Sequence, residues 1–456
     1  MRAAPSPVPR ALAEVIDSTA WIDTHEHLVE ERHRLAHADD PYIFKDWPEP
    51  KGIIPADWTA LIANYAIDDL VCAGLPSSVV ENLLLADEEP LAKWTTVAPY
   101  FEAARTTGYL RAVDVTTDRL FGLRLSDATC VDIDTQLRSL RRANYYSYVL
   151  REIANVERCQ VNSVETLPYC RSKTPDLLEQ DLSILPLSLG EIHTMEGVSG
   201  IEIKSLDDYL ATIDWCFEEY GDLAVAVKCQ WGYTRSLEVE IPSKPPREAF
   251  INLRQGAASE LERREVQDYL LGYCLKHAVA WQLPAKFHLG YLAGYSRAPL
   301  VWAFDHVKQI MPLIHAFPDL QFVLMHMAWP QQEQLLALAK HHHNVIVDLC
   351  WAWIISPIAT ADFVRRFIST VPATKLLCFG GDYTTVENVV GHAELARRGL
   401  QTALESLVLE NWLSLDRAVE LAPQLMRGNA ERVFPARSGR KDPAADIGSA
   451  HPPVGP

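Results

Sequence analysis

Residues 320–351 read LQFVLMHMAWPQQEQLLALAKHHHNVIVDLCW, and this stretch decides the fold. Leu320–Met327 is a short apolar run, Gln331–His342 carries its leucines and alanines at helical spacing, and Asn344–Trp351 is apolar again. Strand, helix and strand in that order form one βα repeat around a parallel sheet.

Outward from this stretch, the same alternation extends from about residue 150 to Asp382. Further strands are expected at Val156–Val161, Ser183–Leu189, Leu223–Gln230, Ala285–Gly290 and Lys375–Asp382, and Ala20–Thr24 in front completes eight. Helices are expected at Leu206–Tyr220, Val266–Gln282 and Pro299–Ala316, with Asp207 and Asp208 near the start of the first and Gly221 just past its end. The expected fold class is α/β, a (β/α)8 TIM barrel.

Roughly 130 residues separate the first two strands, far more than a minimal βα loop holds, so a large insertion follows strand one. Its segments Ala56–Leu70, Ser77–Ala86 and Leu91–Thr107 have helical spacing. The expected organisation is therefore an N-terminal segment with the first strand over 1–27, and a mainly helical insertion over 28–150 acting as cap or oligomer surface. The rest of the barrel follows over 151–435, then a disordered tail over 436–456 with too few large apolar residues to pack.

Composition narrows the function. The 456 residues are 48% hydrophobic and 22% charged, as in soluble globular enzymes. A net charge of -18 without a basic stripe argues against nucleic acid, and no apolar run reaches the roughly 18 to 20 residues of a membrane span. The N-terminus lacks the apolar core of a secretory signal, and nine cysteines without a CxxC pair suit reduced thiols, so a cytoplasmic enzyme for a small molecule, forming a homo-oligomer, is expected.

The chemistry starts at WIDTHEH, residues 21–27, where His25 and His27 stand two apart at the end of an apolar strand, so both imidazoles face one way. Two neutral imidazoles converging on one point suit Zn, Fe, Mn or Ni. Further candidates end later strands: Lys228 in LAVAVKCQ, His288 in AKFHLG, His326 in QFVLMHM and Asp382 in LLCFGGD. Polar groups that terminate apolar parallel strands are misplaced for packing and well placed at a barrel mouth.

In this order of ligands the chain resembles the amidohydrolase superfamily. KCQWGYTR (228–235), DLCWAWIISP (348–357), FGGDYTTVENVVGHAELARRG (379–399) and RGNAERVF (427–434) are similar to its amidohydrolase-related branch, which includes nodulin-like hydrolases, non-oxidative decarboxylases and more distant uronate isomerase relatives. The resemblance spans about residues 20–435 and implies that His25, His27, His288 and Asp382 bind one or two divalent metal ions, zinc first. His326 then either binds a second ion or polarises the substrate. Lys228 is either a carboxylated bridge between two ions or an ammonium that holds a substrate carboxylate. THEHL (24–28) is similar to the phosphotriesterase branch and favours two ions; the downstream motifs favour one.

These residues imply a hydrolase in which metal-activated water attacks an amide-like C–N bond, or an ester or lactone, with Asp382 relaying the proton and His326 stabilising the oxyanion. The alternatives are a non-oxidative decarboxylase of a small carboxylic acid, or a uronate isomerase-like enzyme. Arg235 is a candidate fork for a substrate carboxylate, and Trp351 and Trp353 are candidate pocket walls. His392 reads as helix interior, His341–His343 as a helix C-terminus, Glu26 as a supporting partner, and His33 and His37 as solvated or pocket-rim groups.

Overall fold

A computed structural model describes residues 10–36, 54–295 and 300–435. Eight parallel strands run in chain order: β1 (Trp21–Glu26), β2 (Val156–Val161), β3 (Leu178–Gln180, continued by Leu182–Ser183), β4 (Val227–Cys229), β5 (Ala285–Phe287), β6 (Phe322–Leu324), β7 (Val345–Asp348) and β8 (Leu376–Leu377). β3 bends at Asp181, pairing with β2 before the bend and with β4 after it. Beyond β8 the chain turns back to β1, where the Thr24 amide donates to Phe379 O at 3.0 Å and the Asp382 amide to His25 O at 2.9 Å. This is a (β/α)8 barrel.

The third strand differs from the sequence expectation. Ser183–Leu189 was expected to be extended, but the strand lies earlier and Leu185–Leu189 is a helix. A short apolar run fits a strand or a buried helix equally well, and Pro186 in the first turn tips it to the helix.

Between β1 and β2 the described chain is helical, with Ala66–Cys72, Ser77–Leu85, Pro90–Ala104, Gly108–Phe121 and Cys130–Leu140 as its main elements. Helix Gly108–Phe121 lies tightly on helix Val386–Leu409, where a Cβ on Gly391 would stand 2.0 Å from Ala112 O. Around the barrel, Ser205 and Ser259 close capping boxes with Asp208 and Glu262, which fixes where helices Leu206–Tyr220 and Glu260–Ala280 begin. The strands' inner apolar residues Ile22, Ala226, Val323, Ile346 and Leu377 pack with Val433 and Phe434 of the final helical segment. All nine cysteines are free thiols, eight of them buried. Among the described residues no helix is long and apolar enough to cross a membrane. His37 and the tail 436–456 lie outside the described residues.

Candidate metal centre

The candidate ligands leave the C-terminal ends of their strands, on one face of the barrel. Three side chains there hold a backbone that bulky residues avoid: φ is 60° at His326, 64° at Trp351 and 64° at Asp382. Left-handed backbone costs roughly 1–3 kcal/mol at a non-glycine residue, so the surroundings must enforce it. They do so through hydrogen bonds, from the Trp351 amide to Gly380 O at 2.8 Å and from the Asp382 amide to His25 O. Gly381 admits the close approach of Glu26, whose Oε1 would lie 1.9 Å from any Cβ there.

Hydrogen bonding fixes the imidazole tautomers. His27 Nδ1 faces Asn162 O at 2.8 Å, His288 Nε2 faces Tyr291 O at 2.9 Å, and His326 Nδ1 faces Cys350 O at 3.0 Å. A carbonyl only accepts, so each of these nitrogens carries the proton. Burial holds the rings neutral, His27 down to about 3, His326 to about 4 and His288 well below the usual histidine value. The opposite nitrogens are therefore unprotonated lone pairs, with Gln230 Nε2 3.3 Å from that of His27.

Those lone pairs converge. His288 Nδ1 and His326 Nε2 stand 2.9 Å apart, and Asp382 Oδ1 lies 3.1 Å from His25 Nε2 and 3.4 Å from His27 Nε2. Two donors each about 2.1 Å from one ion stand about 3.0 to 3.4 Å apart at angles of 90–109°. Both nitrogens of buried His25 lack a hydrogen-bond partner among the described residues. Bare imidazole nitrogens turned on one another and on a carboxylate are matched by a cation at their centre, and this donor set fits a divalent metal. Burial opposes ionisation of Asp382, but the close contact of His25, with the imidazoles of His326 and His27 beside it, holds its carboxyl well below the usual range.

Lys228 is 1% exposed and its Nζ has no hydrogen-bond partner among the described residues. Burial brings its ammonium down to about 8, against the fields of Asp382, Cys350 and Asp181. Its register neighbour on β5, Lys286, is fully buried but satisfied, with 2.9 Å contacts to both oxygens of Asp181 and 2.8 Å to Thr24 O. Asp181 Oδ2 in turn lies 3.8 Å from His25 Nδ1. The two lysines are neighbours, yet only one has a counter-ion.

The structure brings His25, His27, Lys228, His288, His326 and Asp382 to this face, and adds Trp351, whose ring lies 5.3 Å from His326 and 6.3 Å from His288. Arg235 and Trp353 are not brought there. Arg235 pairs with Asp268 at 2.7 Å, bonds Gln267 and covers Trp231, because Asp268 and Gln267 of helix Glu260–Ala280 face its loop. Trp353 donates to Cys378 O at 2.7 Å and is fully buried, its indole filling the space beside Gly399. His341–His343 precede β7, on the opposite face of the barrel. His33 pairs with Glu165, and buried His392 faces Gly381 O at 3.2 Å behind the Asp382 turn. Glu26 accepts from the Tyr383 amide at 2.6 Å; burial and Asp23 raise its carboxyl well above normal.

Three supporting groups went unseen in the sequence: Asp181, Lys286 and Tyr65. Lys286 is two residues before His288 and shares its strand face, a signal that period-two reading offers. Asp181 and Tyr65 carry no such local mark.

A family model described as amidohydrolase matches residues 251–436, the part that holds His288, His326 and Asp382. Over these residues the chain is similar to the amidohydrolase family. Over 150 residues the chain is 25% identical to Protein fluG of Emericella nidulans, a match covering 32% of the chain and 17% of the fungal protein. The match thus spans about a sixth of that relative's length. In fold, the chain is similar to glucuronate isomerase from Caulobacter crescentus (TM-score 0.75, 16% identity, 97% of each chain). It is also similar to uronate isomerase from Thermotoga maritima (TM-score 0.70, 15% identity, 93% of this chain and 97% of that one).

Proposed function

We propose that this metal-dependent enzyme is a hydrolase in which water attacks an amide-like C–N bond, or an ester or lactone bond, of a small molecule. The observation that carries the reading is the Lys228 Nζ, buried without a hydrogen-bond partner among the described residues, on the face that carries the paired imidazoles and Asp382. His25, His27 and Asp382 would hold one divalent ion, zinc first, and His288 with His326 a second. When bound, such ions polarise a carbonyl and acidify water at neutral pH.

The chain's own groups do the rest. Asp382, held ionised, takes a proton from the attacking water and returns it to the leaving nitrogen or oxygen. His326 spends its N–H on Cys350 O, so it acts here as a ligand and has no N–H to offer an oxyanion. Lys228, easily deprotonated, would add carbon dioxide to its amine with loss of a proton, and the resulting carboxylate would be a further oxygen donor for the ions. Trp351 stacks between these histidines and Tyr109 and Tyr291, which line a cavity of about 380 Å³ together with Asp69, Trp329 and Ile358.

Elemental analysis of wild-type protein and Lys228→Ala tests this, paired with assays of amide, ester and lactone hydrolysis, carbon dioxide release and uronate isomerisation. Two ions per chain, falling to one or fewer in the variant, with hydrolytic turnover, support the proposal. One ion in both proteins, with decarboxylation or isomerisation, replaces it by the lyase or isomerase reading.

A further inference from the structure

Away from the metal ligands lie two arginines with buried side chains whose guanidiniums are only partly hydrogen-bonded among the described residues. Arg34 is 1% exposed; Nη2 donates to Pro55 O at 3.0 Å, while Nε and Nη1 have no hydrogen-bond partner among the described residues. The side chain of Arg141 is 2% exposed; Nη1 donates to Ala56 O, while Nε and Nη2 have no hydrogen-bond partner among the described residues. The buried Tyr145 hydroxyl has no hydrogen-bond partner among the described residues either. Burial and the field of Arg34 hold Arg141 below the usual arginine value, so the two cations feel each other.

The opposing charge at hand is Glu387, whose Oε1 lies 3.7 Å from Arg141 Nε, too far for a hydrogen bond. Two guanidiniums against one carboxylate leave one positive charge uncompensated. Buried charge without a partner costs several kcal/mol, and a guanidinium's fork matches a carboxylate's two oxygens. Glu387 stands five residues after Asp382, and Arg34 seven after His27. Five residues of chain reach at most about 17 Å, so Glu387, and Arg141 beside it, lie within about that distance of Asp382.

We propose that Arg34, Arg141 and Tyr145 form an anion-binding site for a single carboxylate of the substrate, which makes the substrate of the proposed hydrolase a small monocarboxylic acid. The inference rests on the enzyme reading above for its purpose and on the arginine geometry for its existence.

The test is ¹⁹F NMR line broadening of trifluoroacetate, titrated against metal-loaded and chelator-stripped protein. Trifluoroethanol serves as the neutral control and monofluorophosphate as the phosphate-type one. Saturable broadening by trifluoroacetate in both protein forms is expected, with none from trifluoroethanol. Binding to loaded Arg34→Gln or Arg141→Gln falls about tenfold or more. Arg141→Lys keeps the charge and protects the fold, and binds at least about threefold weaker because the fork is gone. Equal affinity in wild type and variants, or binding lost on stripping the metal, overturns the site; tighter monofluorophosphate binding overturns its assignment to a carboxylate. Metal content of the same samples separates the two readings: carboxylate binding in a chain that takes up no divalent ion sinks the hydrolase and leaves the anion site standing.

Discussion

The Tyr65 phenol donates to the main-chain oxygen of Asp382 at 2.5 Å, so the inserted helical segment and the turn after the last strand meet at one atom. Next to it, Asn64 Oδ1 accepts from the amide and hydroxyl of Thr384 at 2.8 and 2.9 Å. The Tyr65 ring also stacks on Trp351 with centroids 4.7 Å apart. The insertion is therefore part of the frame that keeps Asp382 in its left-handed conformation.

Tyr65→Phe keeps the stack and removes that buried hydrogen bond. It should cost about 1 kcal/mol of stability, read from urea denaturation, and weaken metal retention several-fold in a chelator competition. Metal retention equal to wild type would mean that the phenol does not position Asp382.

Asp382→Asn preserves shape and removes the charge that His25 and His27 face. Turnover should fall at least about a hundredfold, with an unchanged circular dichroism spectrum. A variant that turns over normally removes Asp382 from the chemistry.

Lys228 sets a pH dependence. Its folded value of about 8 lies below the roughly 10.4 of an unfolded lysine, so between these values the unfolded chain holds the extra proton. Stability of metal-stripped protein in carbon dioxide-free buffer should therefore rise from pH 8 to pH 10 relative to Lys228→Met. Urea midpoints at the two pH values check the sign, and a relative fall contradicts the buried, unpaired lysine.

Gly391→Ala places a methyl group 2.0 Å from Ala112 O and 2.6 Å from Thr116 Oγ1, where backbone on both helices resists movement. A loss of about 1–3 kcal/mol is expected, seen as a lower thermal midpoint. An unchanged midpoint would show that helices Gly108–Phe121 and Val386–Leu409 slide freely.

The barrel was legible because its signal is local. A strand such as Val345–Asp348 shows as a run of apolar residues, and helix Leu206–Tyr220 carries its own cap at Ser205. The misplaced third strand shows where that signal stops, since periodicity in ILPLSL cannot tell extended chain from buried helix. Arg235 looked like a ligand fork only because Asp268, its partner, lies 33 residues further along the chain.

By itself the sequence determined the repeated strands and which polar side chains end them, because both depend on residues a few positions apart. Tertiary structure decided which imidazole nitrogen carries the proton at His27 and His326, since Asn162 and Cys350 supply those carbonyls from other loops, whereas Tyr291 O reaches His288 from three residues away. It also decided that Lys286 has Asp181 as its counter-ion while Lys228 has none, because charge pairing inside a barrel depends on distance across strands and not along them.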